Sequence, residues 1–336
     1  MPYPPSGRHD SRKRAQRFRP DAGKGANVFK FVVNRVLTLI PLLFGVTLLV
    51  FSMLQFVPGD PVRAILGESS AASAEQIERM RDQLGLNDPV HVQFFRYVGN
   101  VLQGDFGTSI ASRRPVLESI LARLPATLEL TFAGLGFAIV FGTFLGVVSA
   151  LNQNTWIDRV AVLIALLGLS IPSFWLGLLL ILLFSVHLNW LPVLGSPGDL
   201  RALILPALTL GLWAAGGIAR LARSSMLEVM RQDFVRTARS KGLAERVVIV
   251  RHMFRNALIP IVTIIGIRFG QVLAGTVIIE TVFARQGLGL MLVGAIISKD
   301  FPVVQGIILF VATSYVLVNF LVEIAYTWID PRISYA

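Results

Sequence analysis

Six runs of mostly apolar residues divide the chain: Val36 to Val57, Leu130 to Leu151, Val160 to Val186, Ala202 to Ala219, Ala257 to Ile279 and Phe301 to Val322. A helix rises about 1.5 Å per residue and the hydrocarbon core of a bilayer is about 30 Å thick, so about twenty apolar residues cross it. The runs predict six transmembrane helices and an all-α polytopic membrane protein. Pro172 lies in the middle of the third run and is expected to kink it, because proline removes a backbone donor. The fourth is short and glycine-rich, and Arg268 interrupts the fifth. Six crossings leave both termini on one side.

Residues 58–128 form a small polar segment punctuated by PGDP at 58–61, LGLNDP at 84–89 and GDFGTS at 104–109, dipeptides that mark turns. Ala74, Ile77, Met80 and Leu84, and then residues 90–102, place apolar positions at helical spacing, which predicts two short helices. Segment 223–256 is amphipathic as well. Leu227, Met230, Phe234 and Ala238 recur along it, Gly242 interrupts the pattern, and Leu243, Val247, Val250 and Phe254 restart it. This spacing predicts helix, turn, helix. Gly242 would supply the left-handed residue that ends the first helix.

Charge turns this pattern into a topology. The side holding the termini carries eight basic residues in the first thirty positions, then Arg159, nine between Arg220 and Arg255, and Arg332. The other side has Arg201, Arg285 and Lys299 in its short loops, and seven basic against eight acidic residues in 58–128. A Lys/Arg excess marks the cytoplasmic side, so both termini are expected there. The net charge of +11 is thus accounted for by topology, without nucleic acid as a partner. With 54% hydrophobic and 15% charged residues, the chain is too apolar for an ordinary soluble enzyme and needs a lipid membrane as solvent.

The expected organisation is a disordered basic cytoplasmic arm at 1–30, a first transmembrane helix at 31–57, the extracytoplasmic segment at 58–128, a five-helix core at 129–328 and a cytoplasmic tail at 329–336. The first apolar run is too long for a signal-peptide core and lacks a small-residue cleavage site, so it is expected to stay attached.

Candidate chemistry is sparse. Cysteine is absent, and His9, His91, His187 and His252 show no i, i+4 pair, so no metal site is expected. The one Gly-Lys pair, Gly23-Lys24, is followed by glycine, and neither a phosphate-binding loop nor a Gly-x-Ser-x-Gly elbow occurs. The chain is expected to be no enzyme by itself and to hold no cofactor. Arg268 stands out, since an unpaired guanidinium at that depth costs from about 2.5 to above 10 kcal/mol. It should face an aqueous translocation pathway or pair with an acid such as Glu323. Gln271 and Glu280 are the other pathway candidates, Glu280 with an interfacial position as its plainer reading. Tryptophans 156, 175, 190, 213 and 328 mostly fall near the ends of runs, as amphipathic rings do. The basic 223–256 segment suits either an anionic membrane surface or a groove on a partner protein that takes an apolar ridge with basic flanks.

The run RTARSKGL at 236–243, followed by RNALIP at 255–260, resembles the EAA loop of bacterial ABC import permeases. Ala238 stands at its small-residue position, Gly242 at its glycine and Pro260 at its terminal proline. Arg236-Thr237-Ala238 replaces the usual Glu-Ala-Ala, as in the dipeptide/oligopeptide branch. PGDPV, LGLNDP, GDFGTS, LPATLEL at 124–130, SSMLEVM at 224–230, PVVQG at 302–306 and DPRI at 330–333 are similar to that family in order and spacing.

The resemblance implies a type I ABC importer permease fold with cytoplasmic coupling helices and a place in the bacterial cytoplasmic membrane. It implies heterodimer pairing with a second permease subunit, two cytoplasmic ATPases that bind ATP and Mg, and an extracytoplasmic substrate-binding protein. The ATPase-coupling residues would be Asp233, Phe234, Arg236, Thr237, Ala238, Lys241, Gly242, Leu243, Arg255, Asn256 and Pro260. Di- or oligopeptides are the first substrate expectation; haem, nickel chelate and glutathione are the alternatives. An ATP-independent channel or receptor is the remote rival, and the filter segment or charged ring a channel needs is not evident.

Overall fold

The computed structural model describes residues 24–56, 62, 73–195 and 198–329. PGDP at 58–61, most of the basic arm and DPRI lie outside them. The described residues are helical apart from turns and one bridge, Thr108 with Pro115. In chain order the helices are α1 (Lys24–Phe56), α2 (Ala74–Leu84), α3 (Val90–Leu102), α4 (Val116–Leu151), α5 (Trp156–Ser170) and α6 (Ser173–Leu180), the last continued by a π-helical stretch Ile181–His187. There follow α7 (Leu200–Met230), α8 (Asp233–Ser240), α9 (Glu245–Val247), a π-helical stretch Val248–Phe254, α10 (Arg255–Val282), α11 (Leu288–Ile297) and α12 (Phe301–Ile329).

Val116–Leu151, Leu200–Met230, Pro260–Val282 and Phe301–Val322 are each long and apolar enough to cross a membrane, and α1 contributes the apolar stretch Leu37–Met53. The third run departs most from expectation. It is not one kinked helix: α5 and Ser173–His187 meet at 108°. Proline excludes the residue before it from the helical region, and Ile171 accordingly has φ −78° and ψ 124°.

Other boundaries move outward, because a helix need not be apolar beyond the hydrocarbon. α1 already begins at Lys24, inside the stretch assigned to the arm. α4 begins at Val116, so residues 116–128, with Glu118, Arg123 and Pro125, form its first turns. α7 runs on to Met230, so Leu227 and Met230 belong to a spanning helix rather than to a separate helix in the loop.

The two short helices form as the spacing predicts. Ser73 and Gln76 close a reciprocal cap on α2, and Gly85 at φ 66° ends it. α3 lies on α1 through Phe94, whose ring meets Phe44 at 5.5 Å and Phe51 at 5.4 Å. GDFGTS folds back onto the start of α12: the buried Asp300 carboxylate accepts hydrogen bonds from Ser109 Oγ and from the amides of Ile110 and Ala111.

At the centre, α4 and α7 pack along their lengths, burying Leu130, Leu135, Ala138, Leu205, Leu210, Ala214, Ala215, Ile218 and Ala222. Small residues permit this approach: a Cβ on Gly142 would stand 2.7 Å from the Ala215 carbonyl oxygen.

Candidate functional site

The elbow between α7 and α10 is built from a short amphipathic helix. On α8, Val235 and Ala238 point inward and join Ala150, Met226, Val248, Met253 and Ala257 in a buried apolar cluster. Phe234 points the other way, 41% exposed, and with Leu243 (40%), Val247 (39%) and Val250 (58%) makes an apolar ridge. Phe234 and Ala238, read as one face from their spacing, therefore lie on different faces. Val235, with no predicted role, is the residue that anchors the helix.

Gly242 has φ +76°, and its amide donates to the Arg239 carbonyl at 2.9 Å. The Arg239 guanidinium bridges the turn to Glu245, with Nε at 3.1 Å from Oε2. This partner raises the Arg239 pKa and lowers that of Glu245. Asp233, Arg236, Thr237 and Lys241 are exposed around the ridge, with Arg231, Arg246 and Arg251 beside them. Arg255, Asn256 and Pro260 stand exposed on the first turns of α10. The elbow thus brings Asp233, Phe234, Arg236, Thr237, Lys241, Gly242 and Leu243 together at its tip, with Ala238 buried beneath it, while Arg255, Asn256 and Pro260 lie further along, where the chain enters α10. From Glu245 to Val282 the backbone stays helical through the π-helical stretch, so the tip is continuous with a spanning helix.

Just above the tip, Arg223 on α7 donates to Asp158 on α5 through Nε at 2.9 Å and Nη2 at 2.8 Å. Ser149 on α4 donates to the same carboxylate and receives Arg223 Nε. This polar knot ties three helices, and sequence reasoning missed it because its members lie 65 and 74 residues from Arg223.

Arg268 on α10 lies over the backbone of Gly217 on α7, where a Cβ would collide with the guanidinium. Its Cζ sits 5.6 Å from the Trp213 ring centroid, and its Nη1 donates to Gln271 Oε1 at 2.9 Å on the exposed side. The Glu323 side chain lies outside the described residues. Arg268 and Gln271 are brought together, and Trp213, read as an interfacial ring, joins them. The i, i+4 spacing of Trp213 and Gly217 on α7 is the signal that could have found it.

Glu280 does not join them. It is fully buried at the opposite end of α10. Oε1 accepts from Thr127 Oγ1 at 2.7 Å and Oε2 from the Gly289 amide at 2.7 Å. The interfacial reading and the pathway reading are both corrected here: the carboxylate caps α11, whose free amides and positive helix end favour an anion. On the same side, a cleft of ≈ 640 Å³ opens between α4 and α7 and is walled by Arg123, Glu129, Phe283, Arg285 and Gln286.

Comparisons place this arrangement among known proteins. The model of the family described as "Binding-protein-dependent transport system inner membrane component" matches residues 142–335, and that of the corresponding N-terminal family matches residues 28–131. The glutathione transport system permease protein GsiC of Salmonella paratyphi A is 44% identical over 308 residues, which cover 92% of this chain and 100% of the relative. The protein of the same name from Escherichia coli K12 matches with the same identity and coverage. Among solved structures, the inward-facing MetNI methionine ABC transporter aligns at TM-score 0.50 and 19% identity, covering 64% of this chain and 96% of that one. That likeness is one of fold.

Proposed function

The chain belongs to the family of binding-protein-dependent transport system inner membrane components, the permease subunits of ABC importers, and from this premise we propose that its elbow is the point where ATP-driven motion enters the membrane. One observation carries the reading. The tip presents Phe234, Leu243, Val247 and Val250 as an exposed apolar ridge flanked by exposed basic residues. Such a ridge fits an apolar groove with an acidic rim on a partner.

A lipid surface is the weaker occupant. α7 has 31 residues and is about 46 Å long, about 16 Å more than the hydrocarbon it crosses, which carries the elbow clear of the interface.

The partners proposed are two cytoplasmic ATPases, which bind ATP and Mg, beneath the elbow, a second permease subunit alongside, and an extracytoplasmic binding protein over the cleft near Arg285. The termini lie on the cytoplasmic side in this arrangement. Because Val235 and Ala238 seat α8 on both Met226 of α7 and Met253 and Ala257 at the start of α10, pressure on the tip moves both helices together. That motion drives alternating access. α7 and α10 carry Trp213, Arg268 and Gln271, so the motion reaches the proposed pathway directly.

The substrate class we propose is short peptides and peptide-like solutes. The relatives named above are glutathione permeases, and glutathione is itself a tripeptide, so it stands as the first compound to assay. The test is to purify the tagged chain gently from its native membrane and identify what accompanies it. A second permease and a phosphate-binding-loop ATPase, with uptake that requires ATP, are the expected result. A chain that purifies alone and conducts solute without nucleotide overturns the reading.

A further inference from the structure

Arg268 is a charged group within the bilayer whose surroundings ask for something the described residues do not contain. Its Nε is buried without an acceptor. Its only hydrogen bond among the described residues goes to a neutral amide, Gln271. Arg220, exposed and three residues beyond Gly217 on α7, adds a second positive charge to this side of the helix, and among the described residues no carboxylate pairs with either arginine.

The two helices present this chemistry as matching stripes. Trp213, Gly217 and Arg220 stand at i, i+4 and i+7 on α7; Arg268 and Gln271 stand at i and i+3 on α10. Gly217 provides the slot that buries Nε, Trp213 the aromatic face under the cation, and Gln271 holds Nη1, leaving Nη2 for a ligand. A planar guanidinium with free N–H groups is matched by a planar carboxylate.

We propose that Trp213, Gly217, Arg220, Arg268 and Gln271 form an anion station within the membrane that receives a carboxylate of the translocated solute in transit. The station rests on the importer reading and narrows its substrate class to solutes with an accessible carboxylate. An anion between the two cations relieves their mutual repulsion, and the ligand must leave again for transport to proceed.

A phospholipid phosphate offers the same recognition chemistry, since Arg268 lies about 12 Å along α10 from Pro260 and Arg220 lies about 4.5 Å nearer the elbow than Gly217. Committing to the solute therefore requires an experiment that separates the two.

The purified complex, with all tryptophans of this chain except Trp213 replaced by Phe and the partner subunits' contribution subtracted, is titrated with iodide and with caesium as fluorescence quenchers, in dodecyl maltoside and in phosphatidylcholine bilayers. The expected result is quenching of Trp213 by iodide about twofold or more above that by caesium in both media, since a local positive potential concentrates anions, and loss of that preference in Arg268→Gln. Equal quenching by the two ions, or none, overturns the station. An iodide preference present in detergent and abolished in bilayers shows a lipid phosphate in the site and overturns the solute assignment.

Uptake of radiolabelled glutathione into vesicles adds a second reading: Arg268→Gln slows it by about tenfold, the scale of one lost charge-assisted hydrogen bond, Arg268→Lys recovers part, and nucleotide hydrolysis by the complex persists. Unchanged uptake in an assembled Arg268→Gln complex overturns the proposal. An unmodified complex that imports no glutathione refutes the substrate named above, and the quenching comparison then decides the station alone.

Discussion

Glu280 and Thr127, 153 residues apart in sequence, meet in a buried hydrogen bond of 2.7 Å that fastens the end of α10 to α4 while the other oxygen of the carboxylate caps α11. Replacing Glu280 with Ala leaves the Thr127 O–H and the Gly289 amide without an acceptor. Each such loss costs about 1–3 kcal/mol, so the variant is expected to be destabilised by about 2–6 kcal/mol. Glu280→Gln should fall between, because its amide accepts from one donor but turns an N–H₂ toward the others. Thermal unfolding of the solubilised complex checks this; an Ala variant as stable as the parent would show that the cap is dispensable.

The Asp158–Arg223 pair predicts a non-additive pair of substitutions. Removing one member of a buried ion pair strands the other and costs about 3–5 kcal/mol; Arg223 retains partial exposure, which places Asp158→Ala near the lower end. Asp158→Ala combined with Arg223→Met should recover about half of the loss, since no charge is then stranded. Stability of the two single variants and the double variant gives the coupling directly, and simple additivity would contradict it.

Gly242 separates conformation from space. A Cβ there would meet nothing within 4 Å, yet φ is +76°. A β-branched residue in that region is strained, whereas Asn tolerates it better than other side chains. Gly242→Asn is expected to keep most ATP-driven uptake and Gly242→Val to lose most of it. Equal loss in both would point instead to a partner packed against the glycine.

Tyr97 on α3 packs against Phe51 at 5.9 Å between ring centroids, and its buried hydroxyl has no hydrogen-bond partner among the described residues. Burial pushes its pKa up from 10.0 to about 12. The fold thus favours the protonated phenol. Stability from this group is fully present below about pH 10 and is lost as pH rises toward 12. Tyr97→Phe removes the stranded hydroxyl, so it is expected to stabilise the α3–α1 contact by about 1 kcal/mol and to flatten the alkaline limb. Unfolding measured at neutral and alkaline pH for parent and variant reads both effects.

Local cues carried much of the architecture. The second, fourth, fifth and sixth apolar runs each fall within one helix, and the turn glycines Gly85 and Gly242 both adopt positive φ, because a left-handed turn and a long apolar helix are each specified by residues adjacent in the chain. The elbow was legible for the same reason: its amphipathic spacing and its motif are contiguous. Its faces were less so. Four-residue spacing groups Phe234 with Ala238, but the break at Arg231 and Gln232 re-aims α8, and Val235 enters the cluster in Phe234's place.

The sequence by itself determined a polytopic helical membrane protein of the import permease type, since hydropathy, charge bias and ordered motifs depend only on neighbours along the chain. Tertiary structure decided that Glu280 caps a helix instead of facing water and that Arg268 lies on Gly217 beside Trp213. These outcomes depend on which distant backbone donors, carboxylates and ring faces come within a few ångströms of each other, and hydrogen bonds and ion pairs act only at that range.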